Sequence, residues 1–307
     1  SVLLDAGAGS SWRYKDSQTG LNFSRSEGLA IASLRLFESG VLSQSGLDDP
    51  LRVDAASLQA LTPEILAMEF QVSQSNQLLG LEDRAKLLNR LGDTLLKQKH
   101  IFEAEGTFRP GNLFDYLTRS QVTGVLEARD ILIAVLQGMG EIWPDGSWIN
   151  NVAIGDAGYH EVVKRSDITD GIVPFHKLSQ WMSYSLIEPL QEAGFKVNNL
   201  DALTGLAEYR NGGLFIDTKA ISLKDRTQLE VVHDPKSPLV VEWRALTVVL
   251  LDKLAEKIRR STNTDSGSMP LASILQGGTW SAGRRIAQQL RADGVPPLQL
   301  NSRGTIF

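Results

Sequence analysis

A chain of 307 residues with a formal net charge of −5, 42% hydrophobic and 22% charged residues has the make-up of an ordinary globular protein. Its mild acidity argues against sequence-independent nucleic-acid binding, which needs a basic face. The lack of any cysteine excludes disulfides and thiolate metal sites and points to a cytoplasmic location.

No apolar run reaches the roughly 20 residues of a membrane span. His100, His160, His176 and His233 are not paired at ligand spacing, so neither a metal nor another cofactor is expected. The length suits a single catalytic domain of two closely packed lobes, placed at about 1–140 and 141–307. The chain opens on Ser1 with no basic start, which reads as a trimmed product without a signal peptide.

In chain order, the first stretch runs Leu4-Asp5-Ala6-Gly7-Ala8-Gly9 towards Trp12. It lacks the third glycine of a dinucleotide fingerprint, and the carboxylate beside a tryptophan is its more informative feature. Ser24 and Glu27 have capping-box spacing ahead of a helix that stops at Gly40. A short helix follows at Ala55–Leu61, and Thr62-Pro63 opens another with threonine at the N-cap and proline at N1. Apolar residues at Leu81, Ala85, Leu88, Leu91 and Leu95 mark an amphipathic helix.

Phe108 to Asp115 reads as a turn into a helix, and Ile131–Met139 as an apolar helix ended by glycine. Trp143 and Trp148 are expected to lid the core, and residues 150–172 to form an irregular polar excursion. A helix over 175–193 is expected to break or end near Pro189. Asn199 to Asp201 reads as a helix cap, Leu214–Thr218 as a short strand, and the segment from Val240 as a long helix apolar nearly all round. The tail from Pro296 is expected to be extended. The pattern predicts a mainly α fold with a few short strands, near 1–5 and 213–218.

Two stretches concentrate chemistry. In the helix after Pro174, His176, Gln180 and Ser183 share one face, and Lys177, Trp181 and Tyr184 the next. Glu208, Tyr209 and Arg210 stand together before Asn211-Gly212-Gly213, whose glycines allow close backbone approach or a sharp reversal. The bland reading of the second stretch is a helix end with a surface ion pair. On the long apolar helix, Glu242 and Arg244 point to different sides, and a buried charge there needs a partner.

The runs Val2-Leu-Leu-Asp-Ala-Gly, Arg25-Ser-Glu-Gly-Leu-Ala, Pro174-Phe-His-Lys-Leu-Ser-Gln-Trp, Leu203-Thr-Gly-Leu-Ala-Glu-Tyr-Arg-Asn-Gly-Gly, Val241-Glu-Trp-Arg-Ala-Leu-Thr and Gly277-Gly-Thr-Trp-Ser-Ala-Gly-Arg-Arg resemble the uracil catabolism family over the whole chain. Members of that family usually carry an additional N-terminal segment, expected to be missing here. A fainter resemblance is to the queuosine salvage proteins, which cleave an N-glycosidic bond and look like helical DNA glycosylases. Their Lys-x-x-Gln helix is matched by Lys177 and Gln180, their Asp-Tyr-Arg by Glu208-Tyr209-Arg210 with one extra methylene on the acid, and their Glu-x-Arg helix by Glu242 and Arg244.

Together these resemblances imply a helical glycosylase-like hydrolase of an N-ribosyl bond in pyrimidine degradation, freeing urea from a ribosylurea or its 5′-phosphate. Breaking such a bond passes through an oxocarbenium-like state that a carboxylate stabilises. Glu208 is the first candidate for that role and Asp5 the reserve. Lys177, Arg210 and Arg244 are candidates for a 5′-phosphate, Tyr209 and Trp12 for the wall of the leaving group, and His176 and Gln180 for further substrate contacts. Glu242 is the expected partner of an arginine. The expected partners are a small ribosyl substrate and other enzymes of the pathway, with neither nucleic acid nor membrane. The alternatives are a phosphoribosyltransferase, although the usual acidic-pair-plus-glycine loop is absent, and a non-catalytic partner that binds pathway intermediates.

Overall fold

The computed structural model describes residues 2–4, 7–9, 11–119, 123–143 and 146–301. The chain is mainly helical, with short paired strands. It divides into two units, the first made of residues up to 126 with 133–146, the second of 127–132 with 147–302. The strand β5 (Val125–Glu127) and the helix α7 (Ala128–Met139) run through that division along the chain.

The first unit opens on the hairpin β1 (Tyr14–Lys15) and β2 (Asn22–Phe23), followed by α1 (Arg25–Glu38). Next come α2 (Ala55–Ala60), α3 (Pro63–Glu69), α4 (Leu81–Lys97), α5 (Lys99–Phe102), the hairpin β3 (Glu103–Ala104) and β4 (Thr107–Phe108), and α6 (Asn112–Thr118). Its core includes the fully buried Trp12, Leu29, Leu36, Leu66 and Phe70. Thr62 caps α3 as expected, accepting from the Ile65 N–H at 3.3 Å. The α4 stripe is buried at Ala85, Leu88, Leu91 and Leu95. The capping box at Ser24 does not form: Arg25 takes a left-handed backbone (φ 53°) and the Ser24 side chain makes no cap bond. Trp143 is buried, whereas Trp148 is 55% exposed, so only the first of the two covers a core.

The second unit has β6 (Ser147–Ile149), after which the stretch expected to be irregular forms β7 (Val152–Gly155), β8 (Ala157–Tyr159) and the first residue of β9 (Ile172–Pro174). The strand β6 pairs with β7 and β8 with β9, both antiparallel. Next come α8 (Lys177–Glu192), β10 (Lys196–Asn198), α9 (Tyr209–Asp217), β11 (Val232–His233) and α10 (Pro238–Thr262). The unit ends on α11 (Leu271–Ile274), a π-helical turn at Leu275–Thr279, α12 (Trp280–Leu290) and β12 (Gln299–Leu300), which lies parallel to β11.

Pro189 sits inside α8, not at its end. It is exposed and three residues from the helix end, and the one intrahelical bond it removes, to the carbonyl of Ser185, is lost at an exposed residue. The helix α10 is buried on one face, through Val240, Val241, Trp243, Arg244, Thr247, Leu251 and Ala255, but exposes Leu246 and Val249 on the other.

The expected strand at Leu214–Thr218 is the end of α9, because Glu208 caps a helix that carries through both glycines. Gly212 and Gly213 serve close packing: a Cβ on Gly212 would lie 2.7 Å from the Trp243 indole, and one on Gly213 3.0 Å from Pro297. Alanine has the better helix propensity by about 1 kcal/mol, yet Gly212→Ala is expected to destabilise by about 1–3 kcal/mol through overpacking. A denaturant midpoint equal to or above that of the wild type would contradict this.

Candidate functional site

Three elements of the second unit meet where Phe175, Ala207 and Val241 pack together. Each is a close neighbour in sequence of ionisable residues: His176 and Lys177, Glu208, and Arg244. The approach is tight because β8 presents glycine to α10; a Cβ on Gly158 would lie 2.5 Å from Val241 Cγ2. Two residues before Gly158, at the bend between β7 and β8, is Asp156.

Asp156 forms the centre of this region. Its carboxylate accepts from Arg244 Nη1 at 2.8 Å and Nη2 at 2.7 Å, a bidentate pair with both side chains buried. The same carboxylate accepts the backbone N–H of Lys177 at 3.0 Å. The Asp156 carbonyl accepts the N–H groups of Phe175 at 3.0 Å and His176 at 2.9 Å. Arg244 Nε also donates to the Ala207 carbonyl at 3.3 Å, and its guanidinium lies 4.0 Å from the Phe175 ring centroid. Burial pushes the Asp156 carboxyl up, but the charge and hydrogen bonds of Arg244, with the N–H and charge of Lys177, hold it below the usual aspartate range.

Glu208 is the N-cap of α9, accepting from the Arg210 N–H and the Asn211 N–H at 2.6 Å each. Burial raises its pKa above the usual glutamate value; those two N–H groups and the charges of Lys177 and Arg210 offset only part of the rise. Glu208 and Lys177 are therefore within charge reach of each other. His176 stands before α8 in a left-handed backbone (φ 49°). Burial lowers its pKa, a neighbouring Asp156 opposes this, and Arg244 adds to it. Its Nδ1 is buried without a hydrogen-bond partner among the described residues.

The other candidates have structural duties. Gln180 is buried, and its Oε1 accepts the Thr204 N–H at 3.1 Å, while Tyr184 donates to the Thr204 carbonyl at the same distance. These bonds tie the loop ahead of Glu208 to α8. Arg210 Nη1 donates to the Gly294 carbonyl at 2.7 Å, and its guanidinium lies 4.9 Å from the Tyr209 ring centroid. Tyr209 itself packs against the cluster of Val240, Trp243 and Leu298.

Several expectations are corrected. Glu242 is exposed and pairs with no arginine among the described residues, and the buried Arg244 pairs with Asp156. All three guanidinium nitrogens of Arg244 donate inside the protein, so its charge is already engaged by Asp156. Asn199 stands at the N-cap of a 3-10 turn at Leu200–Ala202 ahead of Glu208, as expected, and Asp201 lies within that turn and pairs with Arg259 at 3.1 Å. Trp12 belongs to the first unit, where it is fully buried and its indole N–H donates to the Phe70 carbonyl at 3.0 Å. Asp5 lies outside the described residues. Asp156 was missed; its one sequence signal is a lone acid between glycines, Gly155-Asp-Ala-Gly158, in an apolar run.

Among the described residues no group of His, Asp and Glu side chains could hold a metal ion, and no helix is long and apolar enough to cross a membrane. The whole chain, residues 1–307, matches the family described as "Protein of unknown function (DUF1688)". It is 39% identical over 335 residues to uracil catabolism protein 4 of Lachancea kluyveri, covering 100% of this chain and 75% of that protein. It is 41% identical over 314 residues to protein urg3 of Schizosaccharomyces pombe, covering 100% of this chain and 73% of the relative. The chain therefore belongs to the DUF1688 family, alongside these two fungal proteins.

Proposed function

We propose that the protein acts in uracil catabolism as an N-ribosyl hydrolase that releases urea from a ribosylurea or its 5′-phosphate. The pathway assignment draws on the relative named uracil catabolism protein 4. The reaction class draws on one observation: a carboxylate, Glu208, held rigidly by two N–H groups, raised in pKa by burial, and within charge reach of Lys177. A base with a raised pKa is a better proton acceptor at neutral pH than an ordinary glutamate.

In this reading a water oxygen bonds to the anomeric carbon while the bond to the ureido nitrogen breaks and its electron pair leaves with nitrogen. Glu208 takes the proton of the water and stabilises the cationic sugar. Lys177 supplies a proton to the departing nitrogen, and ribose and urea are the products. The fixed cap favours one rival, a non-catalytic binder in which Glu208 only terminates α9. Incubation with ribosylurea and with its 5′-phosphate, followed by assay of free urea, separates the two. Release from either compound is expected; binding of both without release would leave the rival standing.

A further inference from the structure

The bonds made by Asp156 do more than neutralise Arg244. Three of its contacts fall on consecutive residues, with the carbonyl accepting from Phe175 and His176 and the carboxylate from Lys177. Between them stands His176, whose left-handed φ of 49° is unfavourable for a residue with a Cβ. Such a conformation persists only where the surroundings over-determine it. Asp156 supplies three bonds to this turn, two through its backbone carbonyl and one, to the Lys177 N–H, through the carboxylate that Arg244 holds. On its other side, Arg244 reaches the Ala207 carbonyl, the residue before Glu208. One buried ion pair thus grips both chain segments that carry the Lys177 and Glu208 side chains, and neither partner needs to meet the substrate.

We infer that Asp156 and Arg244 are positioning residues whose role is to hold Lys177 and Glu208 in register with each other. This rests on the reading of Glu208 and Lys177 as the reacting pair. A buried pair kept only for stability is replaceable, since well-packed apolar residues of similar volume are often neutral or stabilising in its place. A pair kept for position is not.

The test compares wild type, Asp156→Leu, Arg244→Met, and the double variant with both, reading Tm and the kcat and KM for urea release. Each single variant leaves one buried charge unmatched and is expected to lose about 10 °C in Tm. The double variant is expected to recover at least half of that loss, yet to keep a kcat about 100-fold or more below wild type, because the Lys177 N–H and the Ala207 carbonyl have lost their holders. A double variant that recovers both Tm and kcat overturns the inference.

If the double variant does not fold, Arg244→Lys decides. It keeps the charge but not the two-pronged geometry, and kcat about tenfold down or more with Tm within a few degrees of wild type is expected. Unchanged kcat in that variant overturns the inference. Failure of wild type to release urea at all would remove the hydrolase reading itself, and the inference with it. An active wild type with an active, stable double variant removes only the positioning role.

Discussion

Glu208→Asn is expected to lower kcat for urea release by about 100- to 10,000-fold, the range typical of losing a general base, while costing no more than about 1 kcal/mol of stability. Asparagine is chosen over glutamine because it is itself a preferred N-cap. Both Glu208 oxygens accept helix N–H groups, and glutamine would turn an amide donor towards one of them. Glu208→Asp keeps the carboxylate and the cap but shortens the reach, and is expected to lose only about 10- to 100-fold.

Burial raises the Glu208 pKa, so folding favours its protonated form relative to the unfolded chain. As a base it acts only when ionised, so kcat/KM should fall as pH drops through a value above the ordinary glutamate pKa of about 4.3. That acid limb should be absent from the residual activity of Glu208→Asn. A Glu208→Asn enzyme within about threefold of wild type in kcat would place the chemistry elsewhere.

Arg244→Met is expected to destabilise the second unit by about 3–5 kcal/mol at pH 7, because it strands the buried Asp156 carboxylate. The effect should appear as a lower denaturant midpoint for that unit. It should also depend on pH in a definite direction. The folded Asp156 pKa lies below the ordinary value in spite of burial, through Arg244 and Lys177. The stability it contributes is therefore whole above the unfolded value of about 3.9 and is lost as pH falls through the folded one. The gap between wild type and variant should narrow as the solution is acidified. A midpoint within error of wild type at pH 7 would show that the pair is not the clamp described above. Exposed Glu242 offers a contrast on the same helix, and Glu242→Gln should leave the midpoint unchanged within about 0.5 kcal/mol.

Much of the local structure was legible from the chain because local rules decide it. Thr62-Pro63 marks a helix start whose partners lie within one turn, and it is found as expected. The stripe of α4 needs only a face to bury, and any packed neighbour supplies one. The parts that could not be read depend on distant approach. Asp156 meets Arg244 across 88 residues of sequence, and that meeting requires β8 to press on α10 at Gly158 and Val241. Helix geometry already separates Glu242 from Arg244, two residues on, and leaves the partner of the buried guanidinium to be found elsewhere in the chain.

The Gly212-Gly213 pair was ambiguous for a related reason. Glycine permits both a bend and close packing, and only the Trp243 indole against α9 decides for packing. Of the candidate residues, Lys177 lies near enough to Glu208 for its charge to oppose the rise that burial causes. Gln180 and Arg210 are instead occupied with the backbone at Thr204 and Gly294.

The central claim is that a carboxylate fixed at the start of α9 breaks a ribosyl–nitrogen bond. The most direct measurement follows ribosylurea carrying a heavy isotope at the ureido carbon by NMR, with wild-type protein and with Glu208→Asn. The account predicts that the label moves into free urea with wild type and stays in ribosylurea with the variant. Label emerging as carbonate, or staying in ribosylurea with wild type as well, would contradict it.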